Sequence, residues 1–275
     1  MSCLPPYVLG NSAGEQDRLA MQARILQEWT AGFFRAAPFS AGMHILDIGC
    51  GLGDVSFLAG DIVGPNGSVL GIDRDASIIA KASVRALELG CSAWIRFHQA
   101  DADQFQGEQL FDAAVGRYVL HHQQDPIPLL RHVASQVRPG GLLLFHEFDF
   151  ATVISMQPAT PPLWRRELEM LAEYYRRSGL YPDFGLRLTR AFLDAGLPWP
   201  VVRAEVPIGG EPGSYLYGWV AQTVRSLLPG LIESGLATEA ELEIDTLAAR
   251  LEAEAVSIGC QLIGPIQYGA WVRKP

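Results

Sequence analysis

The stretch His44-Ile-Leu-Asp-Ile-Gly-Cys-Gly-Leu-Gly53 joins a short apolar run to a glycine-rich turn. The apolar run, with Ile45, Leu46 and Ile48, is typical of a strand buried on both faces of a parallel sheet. The three glycines that follow, Gly49, Gly51 and Gly53, permit a sharp turn and leave no Cβ between the backbone and a ligand. Residues 54–59 follow as the first turns of a predicted helix, whose free N–H groups would point at that ligand. The stretch therefore predicts a strand–turn–helix unit with a binding site at the turn.

The spacing of the glycines narrows the choice of ligand. A dinucleotide site favours G-x-G-x-x-G, but here Gly53 comes one position early and Asp54 takes the place of the last glycine. A P-loop is excluded because no Gly-Lys-Ser/Thr follows. No lysine or arginine stands near the turn to balance a pyrophosphate, whereas Asp47 ends the strand. Asp47 suits a ligand that carries positive charge.

The pattern D-x-G-x-G-x-G over residues 47–53 resembles the first motif of class I S-adenosylmethionine (SAM) dependent methyltransferases. Further signals match the family: Asp73 at the end of the second predicted strand, Asp101 after the third, and Arg138-Pro-Gly-Gly141 before the fifth. The resemblance covers about residues 40–149. It implies SAM as the cofactor, S-adenosylhomocysteine (SAH) as its product, and a small-molecule acceptor.

Alternating strand and helix signals from residue 43 predict right-handed βαβ units and a parallel sheet. After the first strand, we predict strands at 68–73, 93–98, 111–116, 142–147, 201–207 and 264–273. We predict helices at 12–37, 54 onward, 76–89, 126–137, 162–178, 187–195, 214–228 and 238–256. The resemblance implies that the last strand runs antiparallel at the edge of the sheet. The expected fold class is α/β: a seven-stranded, doubly wound, mostly parallel sheet with an antiparallel last strand, plus a helical lid.

The lid is expected from an N-terminal segment and two insertions. The predicted organisation is an N-terminal helical lid segment at 1–39, a Rossmann-like SAM-binding core at 40–150, and a lid insertion at 151–185. The core continues at 186–208, a second lid insertion follows at 209–263, and the last core strand occupies 264–275. Aromatic side chains crowd the insertions, where they either form core or line an apolar acceptor pocket.

Candidate cofactor contacts come from the strand ends. Asp73 can accept both ribose hydroxyls, a requirement that NAD and SAM proteins share. The resemblance implies that Asp101 accepts from the adenine amine and that the next N–H reads the ring. It also implies that the loop after the fourth strand passes the sulfonium and the methionine tail. The full set is Asp47, Gly49, Cys50, Gly51, Gly53, Asp73, Arg74, Asp101, Ala102, Arg117, Tyr118, Tyr7 and Gln22.

Three of these positions have an alternative interpretation. Cys50 lies inside the turn, where its small size alone explains it. Gln22 either edges the apolar stripe of the first helix or faces the cofactor. Tyr7 belongs to an N-terminal leader that resembles one found on some small-molecule methyltransferases. In those proteins the leader folds over the SAM site, which makes Tyr7 a candidate lid residue.

Methyl transfer from a sulfonium is an in-line displacement, so most catalysis can come from positioning and from excluding water. A general base is needed only where the acceptor loses a proton. The candidates are His121, His122 and Glu147; either histidine has a structural or a catalytic role. His146 alternates with Glu147 on the fifth strand, and the strand-end position favours Glu147 for the cleft. Glu147 either orients or deprotonates the acceptor, or bonds lid backbone.

Composition limits the partners. The formal charge of −9 argues against nucleic acid, since phosphate binding needs concentrated Lys and Arg. The four cysteines lack CxxC spacing, so neither a zinc site nor a disulfide framework is indicated. The absence of a signal-peptide pattern and of a long apolar run predicts a cytoplasmic protein without membrane contact. A monomer and a homodimer are both compatible with the sequence.

Three functions compete at this point. The first is a SAM-dependent methyltransferase acting on O, N or C of a small, fairly apolar metabolite. The second is an enzyme of the same fold and cofactor that catalyses a pericyclic or rearrangement step. The third is a nicotinamide-dependent oxidoreductase, against which the glycine spacing, Asp47 and Asp101 all count.

Overall fold

The computed structural model describes the backbone of residues 13–156 and 161–275, and the side chains from residue 25 onward within these ranges. The strands are His44–Ile48 (β1), Ser68–Asp73 (β2), Ile95–Gln99 (β3), Phe111–Arg117 (β4), Val137–Asp149 (β5), Val201–Glu205 (β6), Ile208–Gly209 (β7), Leu262–Ile263 (β8) and Ile266–Arg273 (β9). The α-helices are Ala13–Ala36 (α1), Asp54–Val63 (α2), Ala76–Glu88 (α3), Ile127–Ser135 (α4), Ala151–Met156 (α5), Pro162–Arg177 (α6), Phe184–Asp194 (α7), Tyr215–Glu233 (α8), Glu239–Leu242 (α9) and Leu247–Ile258 (α10). A 3-10 helix spans Leu120–His122.

Seven strands form one sheet in the order β3-β2-β1-β4-β5-β9-β6. β1 pairs in parallel with β2 on one side and with β4 on the other, and β2–β3 and β4–β5 are parallel as well. The strand order therefore reverses at β1 and β4, where open α/β sheets place their ligands. The predicted α/β fold class, with its mostly parallel seven-stranded sheet, is confirmed.

The position of the last strand differs from the prediction. Gly140 N donates to Lys274 O at 2.8 Å and Lys274 N donates to Gly141 O at 2.8 Å, so the end of β9 lies beside the start of β5. β9 is therefore antiparallel, as expected, but it lies between β5 and β6 rather than at the edge. The physical reason is burial on both faces: six of its eight residues are buried, whereas all five residues of β6 are exposed.

The chain divides into two compact units. One contains residues 27–147, 184–204 and 268–275, and it holds the parallel strands. Its core joins side chains of α1, β1, β4, β5 and β9, namely Phe33, Ile45, Val115, Leu144 and Trp271. The other unit comprises, among the described residues, 13–26, 148–156, 161–183 and 205–267, and its elements include α5, α6, α8, α9 and α10. Its role as a lid stays a prediction.

Two predicted helix ends are wrong. The predicted helix 238–256 is two helices, because α9 stops after four residues and Glu243 takes a left-handed φ of 40°. Its capping box is real: Thr238 Oγ1 accepts from Glu241 N at 3.2 Å and Glu241 Oε2 accepts from Thr238 N at 2.8 Å. In contrast, α8 continues past the predicted end at 228 and through Pro229, because Leu227 and Leu231 keep the buried face intact across the proline.

Short elements were missed. The antiparallel β7–β8 pair and helix α5 have no counterpart in the prediction, since two to six residues carry little periodicity. β5 begins at Val137, five residues before the predicted start, because the Arg-Pro-Gly-Gly turn lies within the strand. Over the described ranges, no helix combines the length and the apolarity needed to cross a membrane.

Candidate functional site

The three glycines of the turn have different roles. All have positive φ, at 60° for Gly49, 53° for Gly51 and 86° for Gly53. A Cβ on Gly49 would lie 2.9 Å from Val119 Cγ2, and one on Gly53 would lie 2.6 Å from Phe97 Cζ. A Cβ on Gly51 would meet no atom of the described residues within 4 Å, its two chain neighbours aside. Two glycines therefore serve close packing, and Gly51 alone of the three borders open space in which a ligand has room.

Asp73 holds the turn from the end of β2. Its Oδ2 accepts from Gly51 N at 3.1 Å and its Oδ1 accepts from Asp75 N at 3.0 Å. Each carboxylate oxygen has a second lone pair, so further acceptor capacity is left at the turn. Burial raises the pKa of Asp73, and the two backbone hydrogen bonds partly offset this by favouring the ionised carboxylate.

The segment after β3 lies beside the same edge. Ala100 N donates to Asp73 O at 3.0 Å, and Asp101 follows directly. Asp101 Oδ1 accepts from Asp103 N at 3.1 Å, which fixes the carboxylate in a tight turn. Gln99 Nε2 donates to Arg74 O at 3.2 Å and ties the ends of β2 and β3 together. The structure therefore brings Asp73 and Asp101, with Arg74 and Ala102 next to them in the chain, to one edge of the sheet.

Asp47 is buried at the end of β1. Its Oδ2 accepts from Ser56 Oγ at 2.6 Å, while its Oδ1 has no hydrogen-bond partner among the described residues. Burial raises its pKa to about 7, opposed by the Ser56 bond and by the positive charge of Arg117. A carboxylate in this setting gains from a nearby cation, because a positive charge favours its ionised form.

Arg117 ends β4 on the same face of the sheet as Asp47. Asp47 pairs in register with Val115, and Arg117 lies two residues further along that strand. The guanidinium is part-buried and donates to Thr30 Oγ1 at 3.3 Å, and no ion pair joins it to a carboxylate of the described residues. Burial lowers its pKa, opposed by the charges of Asp54, Tyr118 and Asp47.

Arg85 is a site residue that the sequence did not indicate. From α3 its Nη1 donates to Leu52 O, its Nη2 donates to Asp54 Oδ1 at 2.9 Å, and its guanidinium lies 5.1 Å from the centre of the Phe57 ring. These contacts fix the glycine turn and the first turn of α2. Arg85 lies 31 residues after Asp54 in the chain, so no local motif could have revealed it.

Glu147 organises the loop after β4. Its Oε1 accepts from Val119 N at 3.0 Å and from Leu120 N at 2.7 Å, and its Oε2 lies 2.7 Å from His121 Nδ1. Glu147 and His121 are both almost fully buried, with side-chain exposures of 0% and 1%. Burial raises the pKa of Glu147 to about 8, opposed by the three N–H groups that face it. Glu147 thus accepts hydrogen bonds from backbone N–H groups. The sequence interpretation that gave it this role placed the bonds in the lid insertions, whereas they lie in the loop after β4.

The same loop begins with a strained residue. Tyr118 has a φ of 60° although it is not glycine, and its N donates to His146 O at 2.8 Å. Its ring lies edge-on to the rings of His121 and His146, at 5.7 and 5.5 Å between centroids. His146 turns away from Glu147, with Nδ1 3.1 Å from Thr30 Oγ1. A non-glycine residue in this backbone region is typical of a functional loop.

The remaining predicted residues divide into three groups. Cys50 is buried, with Sγ 3.7 Å from Gly51 O, which agrees with its small size as the reason for its position. His122 is part-exposed at the end of the 3-10 helix, with its ring 3.8 Å from that of His121, and its catalytic role stays a prediction. Gln22 lies in α1 but its side chain is outside the described part, and Tyr7 lies outside the described residues altogether.

Comparisons with known proteins identify the family. A family model described as a methyltransferase domain matches residues 39–182, more than half of the chain. A 2-phytyl-1,4-naphtoquinone methyltransferase from Synechococcus elongatus is 31% identical over 144 residues, 52% of this chain and 55% of that relative. A ubiquinone/menaquinone biosynthesis C-methyltransferase from Pseudomonas savastanoi is 34% identical over 125 residues, 45% of this chain and 49% of that relative. The chain thus spans about half the length of these relatives.

Solved structures share the fold. The YcgJ protein of Bacillus subtilis superposes with a TM-score of 0.58 at 18% identity, covering 90% of this chain and 99% of that one. At this identity the likeness shows the fold alone. The family model covers the glycine turn, the β2 and β3 ends and the Glu147 loop together, and this chain belongs to the methyltransferase domain family.

Proposed function

We propose that this chain transfers a methyl group from SAM to O, N or C of a small, fairly apolar metabolite and releases SAH. The observation that carries the proposal is the open side of the glycine turn at Gly51, held by the carboxylate of Asp73. The relatives named above, which methylate quinones by their names, support a small-molecule acceptor. The acidic charge supports an acceptor other than nucleic acid. We propose a cytoplasmic location, which the free cysteines Cys50, Cys91 and Cys260 support, because disulfides are rare in a reducing compartment.

The adenosine part of the cofactor is assigned to two carboxylates. Asp73 accepts the ribose hydroxyls with the lone pairs that Gly51 and Asp75 leave unused. Asp101 accepts from the adenine amine, and the N–H of Ala102 donates to the ring. The backbone N–H groups in the first turn of helix α2 have no partner within the helix and point toward the glycine loop. They favour binding of electron-rich atoms of the ligand there.

The methionine part is assigned to Asp47 and Arg117. These two residues place opposite charges on one face at the tips of neighbouring strands, without an ion pair between them. A zwitterion complements such a pair, with its ammonium toward Asp47 and its carboxylate toward Arg117. Backbone carbonyls of the loop at Arg117 and Tyr118 offer further acceptors for the ammonium.

The bound cofactor would supply an electrophilic methyl group, and the protein's contribution is chiefly positional. Glu147 and His121 are buried, so we assign them the positioning of the loop at residues 118–122. His122 is the part-exposed histidine of this loop, and we assign it to take a proton from an acceptor that must lose one. Acceptors that are already nucleophilic need no base.

The two competing functions have less support. A rearrangement enzyme of this fold would bind the same cofactor, so the fold does not favour it. A nicotinamide enzyme needs a glycine where Asp54 stands, and Asp54 is engaged by Arg85 at 2.9 Å.

The test is binding followed by turnover. We expect titration calorimetry to give a saturable signal with SAH and none with NADH. Incubation with methyl-labelled SAM and a panel of quinols, phenols and amines is then expected to yield one product heavier by a single methyl group. Binding of NADH in place of SAH would overturn the proposal. Binding of SAH with turnover of an acceptor but no methyl gain would favour the rearrangement.

The assignment of Arg117 gives a sharper prediction. Arg117→Gln is expected to raise the Kd for SAH about 10- to 100-fold, because a charge-assisted hydrogen bond to the carboxylate is lost. The Kd for methylthioadenosine, which lacks the amino-acid tail, should stay within about twofold. Arg131→Gln, the same exchange at an exposed α4 residue, should leave both values unchanged. Equal weakening of both ligands by Arg117→Gln would contradict the assignment.

A further inference from the structure

The edge strand β6 is uncovered along its length. All five residues from Val201 to Glu205 are exposed. The apolar ones include Val201 at 53% and Val202 at 38%, flanked by Trp199 at 74% and Val206 at 43%. The chain therefore presents backbone N–H and C=O groups and apolar side chains together at one end of the seven-stranded sheet.

An open edge of this kind is a template for pairing with another strand. Proteins protect such edges with short strands, charged side chains (lysine above all), prolines, bulges or a covering element. Because β6 carries the charges of Arg203 and Glu205, a strand that pairs with it must match those charges. Here β6 carries no lysine, and prolines at 200 and 207 bracket it. Because proline cannot donate to a ladder, these two residues limit any added pairing to residues 201–206.

Self-pairing of this edge has a restricted register. Alternate residues of an edge strand point their N–H and C=O groups outward, and only outward residues can bond across an antiparallel pair. In a two-fold pair of identical strands, one residue must therefore lie opposite its own copy. An axis at Arg203 would oppose two arginines, and an axis at Glu205 would oppose two glutamates.

The axis at Ala204 is complementary in both charge and shape. It places Arg203 opposite Glu205 of the second copy, twice by symmetry. It also places Val202 opposite Val206, again twice, with the small Ala204 side chains meeting on the axis. Opposite charges and β-branched pairs directly across two strands both stabilise a sheet. The Arg203 side chain lies on the sheet surface, with its guanidinium 5.9 Å from the centre of the Trp271 ring.

We infer that β6 is a homodimer interface, at which two copies of this chain pair antiparallel with Ala204 on the two-fold axis. The dimer joins two seven-stranded sheets at their β6 edges. The interface involves none of the residues assigned to the cofactor, so the inference is independent of the proposed function.

A charge exchange tests the register. Sedimentation velocity on the full chain, over about 1–100 µM, is expected to show concentration-dependent dimerisation. Arg203→Glu and Glu205→Arg should each raise the dimer Kd by about tenfold or more, because each turns two attractive pairs into repulsive ones. The double exchange should return the Kd to within about threefold of the native value. Since each single variant and the double variant share the same positions, recovery in the double variant separates pairing from misfolding.

A disulfide tests the axis. Residues directly opposite in an antiparallel pair have Cα atoms about 4.5–5.5 Å apart, within the range that a disulfide spans. Ala204→Cys should therefore oxidise to a covalent dimer. Arg203→Cys should not, because its two copies lie about two residues out of register.

The inference is overturned if the native chain stays monomeric over the whole concentration range. It is also overturned if a dimer forms and neither Arg203→Glu nor Glu205→Arg changes its Kd, since another surface would then form the interface. Covalent dimers of Arg203→Cys without those of Ala204→Cys would exclude the Ala204 axis.

Discussion

Gly51→Ala is expected to raise the Kd for SAH at least 100-fold while the chain stays folded. The added Cβ would enter the space beside the turn, where no atom of the described residues other than its chain neighbours lies within 4 Å, so we expect it to meet the ligand. A side chain at a φ of 53° costs about 1–2 kcal/mol of folding stability. Calorimetric titration with SAH and thermal denaturation measure the two effects separately.

Gly42 provides a matched control. It also has a positive φ, at 83°, and a Cβ there would meet nothing within 4 Å in the part of the chain that the structure describes, but it lies in the turn before β1. Gly42→Ala should therefore lose a similar amount of stability without a change in the Kd for SAH. Gly53→Ala should fail differently, since its Cβ would lie 2.6 Å from Phe97 Cζ and destabilise the unit. Unchanged SAH binding by Gly51→Ala would place the ligand elsewhere.

The sequence predicts this part of the molecule well because its signals are local. A strand apolar on both faces and three glycines within five residues decide the backbone path between β1 and α2. Asp73 ends one strand of ordinary length and Asp101 follows the next, so parallel pairing alone brings them to one edge. The atoms that lie beside each glycine come from distant parts of the chain. Only the structure therefore shows that Gly49 and Gly53 pack against side chains while Gly51 borders open space.

The errors have a common physical origin in long-range packing. A Pro-Gly pair at 229–230 is a strong helix-stop signal, yet α8 continues because its apolar face stays buried. The glycine of that pair allows close approach to α6 instead, since a Cβ on Gly230 would lie 2.0 Å from Tyr174 Oη. Arg85 fixes the glycine turn from a different helix. Local sequence propensity does not depend on such distant partners and therefore cannot predict them.

The role of Glu147 could be narrowed but not decided from the chain. Its position at a strand end is compatible with contact to an acceptor. The structure instead gives both of its oxygens partners in the loop at residues 119–121. Two backbone N–H groups and the His121 ring converge on one buried carboxyl, and this has a measurable consequence.

Glu147→Ala is expected to destabilise the chain by about 3–5 kcal/mol. It removes the acceptor of two buried backbone N–H groups and the carboxyl that contacts His121 Nδ1, and each buried hydrogen bond lost in this way costs about 1–3 kcal/mol. Glu147→Gln is the matched control. Its amide oxygen keeps both N–H bonds and its amide nitrogen can donate to His121 Nδ1, so at pH 5 its stability should lie within about 1 kcal/mol of native.

The pH dependence tests the same carboxyl more strictly. Burial raises the pKa of Glu147 from its ordinary value of 4.5 to about 8, so the folded chain holds a proton that the unfolded chain releases above about 4.5. The contribution of Glu147 to stability therefore falls as pH rises from about 5 to 8, by a few kcal/mol, because the unfolded state binds fewer protons. Asp47, whose pKa is raised to about 7, contributes with the same sign. The comparison with Glu147→Gln removes the Asp47 contribution, since both proteins contain it.

Glu147→Gln should consequently become more stable than the native chain near pH 8. Urea denaturation at pH 5, 6.5 and 8 measures this crossing as a change in the free energy of unfolding. The reverse result, a native chain more stable than Glu147→Gln at pH 8, would mean that Glu147 is ionised and paired with a protonated His121. In that state His121 Nδ1 could only donate to Glu147 Oε2. A proton held by Glu147, by contrast, lets Oε2 donate to Nδ1 while Oε1 still accepts from Val119 and Leu120, so all three bonds persist without a buried charge.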